Sequence, residues 1–289
     1  VKPEVLIIGC GFLGEAAAEL FSTHGRSVLG LVRSPESLGG LSGRPFEAAS
    51  CDVTDDASVA ALTPLLRGVP LAVYCLSSGK GGADAYAAVY REGLRRVLEH
   101  WNPGRVIFVS STSVYAQSGG EWVTEASPAQ PDRETGRILL EAEAIALADG
   151  GCVARLSGIY GPGRSVLLRK FLTAEAVLEE GGHRWINQIH RDDAAAALVS
   201  LAEHGEAGVI YNVTDDTPVT QRGVYGWMAD ALNRSLPPEG VANLNRKRGV
   251  TSKRVSNERL KATGWAPLFP SYRDALPQLI AALEGKGLE

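Results

Sequence analysis

The sequence predicts an α/β fold, a doubly wound parallel sheet followed by a smaller, irregular C-terminal substrate lobe. In the first half, short β-branched runs alternate with longer amphipathic stretches, the pattern of a parallel sheet covered on both faces. After Ser157 the alternation weakens and is interrupted by Gly161-Pro-Gly163, Gly181-Gly182, Pro218 and Pro237-Pro238. A chain of 289 residues with 45% apolar composition is long enough to bury a full core in one large domain with a smaller lobe.

Strands are expected near 4–9, 27–33, 45–51, 71–76, 105–110 and 152–157, with helices near 12–24, 55–67, 83–100 and 133–149 between them. Beyond these, the sequence predicts helices near 166–180, from Asp192 to His204, and near 220–233, while Val209 to Val213 returns to the sheet as a strand. The expected division is 1–157 plus 188–214 for the sheet domain, and 158–187 plus 215–289 for the lobe. In such a sheet ligands lie beyond the carboxyl ends of the strands, so the loops from Gly9, Arg33, Asp52, Ser77, Ser110 and Gly158 should converge on one crevice.

The first strand, Val5-Leu-Ile-Ile8, runs into Gly9, Gly11 and Gly14 at G-x-G-x-x-G spacing, and an alanine-rich helical stretch follows at once. That is the outline of a dinucleotide pocket: Gly9 for the tight turn, Gly11 for access by a pyrophosphate, Gly14 for close packing of helix on strand. The phosphates would meet free N–H groups at the helix N-terminus, beside Phe12 and Leu13. At the end of the second strand Arg33-Ser34 stands with no carboxylate before Glu36, which favours NADP over NAD, because Arg33 offers a planar donor fork to a 2′-phosphate and Ser34 a hydroxyl. Asp52-Val53, ending the third strand, is placed to hold an adenine amino group, and Leu76, Ser77 and Ser110 complete the expected cofactor wall.

Composition narrows the class. A net charge of −4 gives no electrostatic reason to expect nucleic acid or an anionic membrane as partner. The basic residues Arg246-Lys-Arg248, Lys253 and Arg254 read as a solvated surface. The cysteines at 10, 51, 75 and 152 are widely spaced within or beside apolar runs, which reads as reduced core thiols of a cytoplasmic protein with no metal site.

Gly11-Phe-Leu-Gly14, Asp52-Val-Thr-Asp55, Val106-Ile-Phe-Val-Ser-Ser-Thr-Ser-Val-Tyr115, Arg155-Leu-Ser-Gly-Ile-Tyr-Gly-Pro-Gly163, Ile189-His-Arg-Asp-Asp193 and Gly264-Trp-Ala-Pro267 together resemble the extended short-chain dehydrogenase/reductases, the NAD-dependent epimerase/dehydratase family with its Rossmann fold. The resemblance implies a catalytic Ser or Thr at Ser111, a Tyr-x-x-x-Lys pair at the start of the next long helix, and an upstream Asn. Thr135 and Leu139 stand at the Tyr and Lys positions, Glu143 at a later Glu, and Tyr90 at the Asn. With Ile8-Gly9 in place of the extended glycine pattern, these departures resemble the atypical branch of the superfamily.

The missing pair matters, because acid–base help contributes roughly 10²–10⁴-fold and neither Thr nor Leu supplies it near pH 7. Substitutes available in sequence are Lys80, Tyr115, Tyr160 and His190, with Arg164 and Trp185 as further substrate-side groups. Asp193 is expected to cap the helix that follows it. Two functions follow: an NADP-binding enzyme acting on a small molecule, sugars and sugar nucleotides included, with an altered catalytic set, or a non-catalytic NADP-binding redox regulator. The resemblance implies a homodimer contact through helices 83–100 and 133–149, and a monomer is equally compatible with the pattern.

Overall fold

The computed structural model describes residues 2–79, 81–241 and 251–284. Seven parallel strands form the central sheet: β1 (Val5–Ile8), β2 (Val28–Val32), β3 (Glu47–Ser50), β4 (Leu71–Tyr74), β5 (Val106–Ser111), β6 (Cys152–Leu156) and β7 (Ile210–Val213). Their spatial order is β7-β6-β5-β4-β1-β2-β3. The order reverses between β1 and β4, and that switch point opens a crevice above the carboxyl ends of both strands.

Every residue of β1, β2 and β6 is buried, as expected for strands covered on both faces. The two-residue side-chain period sends Leu6 and Ile8 into one core and Val5 and Ile7 into the other. Over the first face lie a helix spanning 83–101 and the helix Glu134–Ala148; α1 (Phe12–Thr23) and the helix Arg191–His204 cover the second. Ala17 and Ala18 of α1 share that second core with Ala194, Ala195 and Ala197, small side chains that let the two helices approach closely. A third core gathers Tyr160, Phe171, Val224, Met228 and Tyr272 from segments of the second half of the chain.

Two expected helices are corrected. The stretch 55–67 breaks into Asp56–Ala61 and the short turn Thr63–Leu66, because Pro64 has no N–H to continue the ladder. The helix expected over 166–180 ends at Leu172; Ala174 turns left-handed at φ +57°, and Leu178–Glu179 becomes a short strand. Ala176 and Leu178 instead enter the third core, 3% and 2% exposed. No helix among the described residues is long and apolar enough to cross a membrane.

Candidate functional site

Above the switch point lies a cleft of about 490 Å³, walled by Gly9, Gly11, Phe12, Leu13, Arg33, Leu76, Ser77, Ser110 and Ser111, together with Tyr86, Tyr90, Leu139, Ile159 and Arg164. The glycine loop forms its floor. Gly9 turns off β1 at φ +100°, and a Cβ there would stand 2.9 Å from the Cys75 carbonyl oxygen and the Leu76 backbone. On Gly14 a Cβ would press into the Gly9 carbonyl. On Gly11 it would meet nothing within 4 Å, so packing is not what excludes a side chain at that cleft-lining position. Gly11 is also the N-cap of α1 and offers no side-chain cap, which leaves first-turn N–H groups without helical acceptors. A close backbone approach, free donors and a helix dipole are what a dinucleotide diphosphate requires, so the loop fits NAD or NADP.

At the end of β2, Arg33 is 77% exposed and donates Nε to Asp52 Oδ2 at 3.0 Å. Burial alone would raise the Asp52 carboxyl, but hydrogen bonds from Thr54 and Arg33 outweigh it and hold the group below its usual range. Asp52 thus supports Arg33 from outside the cleft wall. Ser34 turns its Oγ toward Ser37 Oγ at 3.4 Å, and it is Ser37, with Gly40 and Leu41, that reaches the cleft. The Val53 side chain packs in the core beneath Gly93, and its carbonyl accepts from Arg96 Nη1 at 3.3 Å.

The expected catalytic positions separate. Ser111 lines the cleft and accepts at Oγ from the Ser113 N–H at 3.2 Å, whereas Ser110 sends its hydroxyl inward to Glu143 at 2.5 Å. Leu139 is an apolar part of the wall, and Thr135, one turn earlier, lies outside it.

Three substitutes read from sequence are buried away from the cleft. Tyr115 is fully buried, donates to Asn212 Oδ1 at 2.9 Å, and burial pushes its phenol up. Tyr160 packs between His190 and Tyr272, at ring separations of 5.4 and 4.7 Å, and burial raises its phenol as well. His190 is fully buried, accepts at Nδ1 from the Asp192 N–H as the cap of the helix Arg191–His204, and burial lowers its pKa. That cap replaces Asp193 in the expected role. The Asp193 carboxylate instead accepts from the Leu268 and Phe269 N–H groups at 2.6 and 3.0 Å.

Trp185 lies in a separate hollow with Gly120 and Arg184, and the Arg254 guanidinium covers its ring at 5.0 Å. Arg254 also stacks on Trp122, and Lys253 is only 3% exposed, so these two basic residues are not the solvated surface expected. Lys80 and residues 246–248 lie outside the described residues. All four cysteines are free thiols, Cys10, Cys51 and Cys152 buried and Cys75 half-buried.

Sequence reasoning missed Tyr86 as a wall residue and gave Tyr90 only as a replaced Asn. On the helix 83–101, Tyr86 immediately precedes and Tyr90 lies within a π-helical turn, Ala87–Glu92, and their rings are 5.0 Å apart. Tyr90 donates to the Leu76 carbonyl at 3.2 Å. The four-residue spacing of the two tyrosines on one helix was the available signal.

The family model for the NAD dependent epimerase/dehydratase family matches residues 5–214. The chain belongs to that family. Among its relatives, Protein YeeZ of Escherichia coli K12 is 28% identical over 269 residues, 88% of this chain and 93% of that one. A Methylobacillus flagellatus protein proposed to be an NAD-dependent epimerase/dehydratase is 32% identical, with a TM-score of 0.78 over 98% of this chain and 100% of that one. The dTDP-glucose 4,6-dehydratase DesIV of Streptomyces venezuelae, solved with NAD bound, shares the fold at a TM-score of 0.80, covering 98% and 97% of the two chains at 21% identity.

Proposed function

We propose that this member of an NAD-dependent family is an NADP-preferring oxidoreductase acting on a small carbonyl or hydroxyl compound, sugars and sugar nucleotides included, with an altered acid–base set. The observation that carries the reading is the meeting of Ser111, Tyr86 and the glycine loop on one cleft wall, with Leu139 where the family pattern has Lys. NADP when bound supplies or accepts a hydride. Gly9, Gly11 and Gly14 admit its diphosphate, and Arg33, steadied by Asp52, stands ready for a 2′-phosphate. Ser111 then orients the substrate oxygen, and the Tyr86 phenol exchanges a proton with it. Four free thiols fit a reducing compartment such as the cytoplasm.

The test is turnover of a panel of aldehydes, ketones and nucleotide sugars with NADPH. Tyr86→Phe is expected to lower turnover by about 10²–10⁴-fold while leaving the NADPH affinity intact. Unchanged turnover in that variant removes Tyr86 from the chemistry. Leu139 in the wall and Thr135 outside it favour a second reading, a non-catalytic regulator that responds to the redox state of NADP. That reading requires different affinities for NADP and NADPH, because a ligand shifts states only through differential binding. Equal affinities in a titration with both forms eliminate it.

A further inference from the structure

Phe12, the first residue of α1, lies against two arginines from the second half of the chain: the guanidinium carbon of Arg164 is 4.9 Å from its ring centroid and that of Arg191 is 5.4 Å away. Their charges are handled differently. Arg191 donates Nε to Asp192 Oδ1 at 2.8 Å and is neutralised there. Arg164, exposed on the cleft wall beside Gly11, Phe12 and Leu13, forms no ion pair among the described residues.

Its backbone is held in place. The Gly161 N–H donates to the Arg164 carbonyl and the Arg164 N–H to the Gly161 carbonyl, both at 3.0 Å. Between them Pro162 and Gly163, at φ +74°, make a tight turn of the type that needs glycine at its third position. The other charges of the cleft wall are answered locally, Arg33 by Asp52 and Glu15 by Arg44. An uncompensated cation therefore stands on a fixed turn over the N-terminus of α1, where the helix dipole also favours an anion.

We infer that Arg164 is the lobe's contact with the dinucleotide diphosphate, reaching it beside the glycine loop at the N-terminus of α1. The inference rests on the dinucleotide reading of the cleft. The guanidinium fork suits two phosphate oxygens, and its stack on Phe12 keeps its plane in place while it waits. Arg33 and Arg164 then divide the cofactor: one takes the adenosine end, the other the diphosphate. A residue beyond β6 in the chain, already stacked on Phe12 of α1, thereby gains a second, nucleotide-dependent contact.

Calorimetric titration of NADPH, NAD and ADP-ribose into the wild-type chain, Arg164→Ala and Arg164→Lys tests this, because the three ligands share the ADP-ribose diphosphate and little else. Loss of charge-assisted contacts predicts a weakening of about 10- to 100-fold in Arg164→Ala, similar for all three, with partial recovery in Arg164→Lys. The melting temperature of the ligand-free variant should match wild type, since Arg164 is exposed. A loss confined to NADPH assigns Arg164 to the 2′-phosphate, and a loss for NADPH and NAD without ADP-ribose assigns it to the nicotinamide end; either outcome overturns the proposal, as does unchanged affinity. If the wild-type chain binds none of the three ligands, the dinucleotide reading itself fails.

Discussion

Arg155 and Glu143 form a two-pronged ion pair inside the core, with Arg155 Nη2 donating to Oε2 at 2.5 Å and Nε to Oε1 at 3.0 Å, while the Ser110 hydroxyl donates to the same Oε1 at 2.5 Å. The side chains are 4% and 3% exposed. This pair joins β6 to the helix Glu134–Ala148 and pins the end of β5, one residue before Ser111. The arrangement accounts for a Glu at position 143 without assigning it any part in the chemistry.

Removing one partner leaves the other charge buried. Glu143→Ala is expected to destabilise the fold by about 3–5 kcal/mol, read as a lower urea midpoint with an unchanged slope. A shift below about 1 kcal/mol would show that water or another group compensates Arg155.

If the proposed NADP reading holds, Arg33→Ala should weaken NADP by about 10- to 100-fold and NAD far less, because the reading gives Arg33 a charge-assisted contact to the phosphate that only NADP carries. Equal effects on the two nucleotides, measured by titration, would detach Arg33 from the 2′-phosphate.

The glycines of the loop are expected to respond differently. Gly14→Ala drives a Cβ into the Gly9 carbonyl and should lower both the melting temperature and nucleotide affinity. Gly11→Ala meets no neighbour, so stability should stay within about 0.5 kcal/mol while nucleotide affinity falls. A Gly11→Ala chain that binds NADPH normally would show that the diphosphate does not pass over this residue.

Burial lowers the Lys253 ammonium from its ordinary 10.5 to about 8, with Nζ donating to the Tyr115 carbonyl at 2.8 Å and Thr251 Oγ1 at 2.9 Å. Between those pH values the unfolded chain holds a proton at this site that the folded chain has released. Stability from Lys253 therefore rises as pH climbs from about 8 to 10.5, by about 3 kcal/mol, and is flat below and above that window. Other buried groups titrate nearby, so the measurement is the difference between wild type and Lys253→Met in urea melts across the window. Parallel curves would place the titration elsewhere.

Much of the fold was legible because its determinants are local. The strand positions follow from short apolar runs, and the helix boundaries around 83–101 and 134–148 fall within a residue or two of expectation. The misreadings came where long-range packing overrode local pattern. The stretch 173–180 has helical composition, yet Ala176 and Leu178 are drawn into the third core. Lys253 looked like part of a basic surface, but the chain carries it under Tyr115, a pairing 138 residues apart in sequence.

The sequence by itself determined that a parallel sheet ends in a glycine loop with Arg33 at the neighbouring strand end, since backbone freedom, two-residue periodicity and charge type are properties of short segments. Only the tertiary structure decided which polar side chains face the cleft. Tyr115, Tyr160 and His190 turn inward while Tyr86 and Arg164 turn toward it, because that choice depends on which elements pack behind each residue, and those elements come from distant parts of the chain.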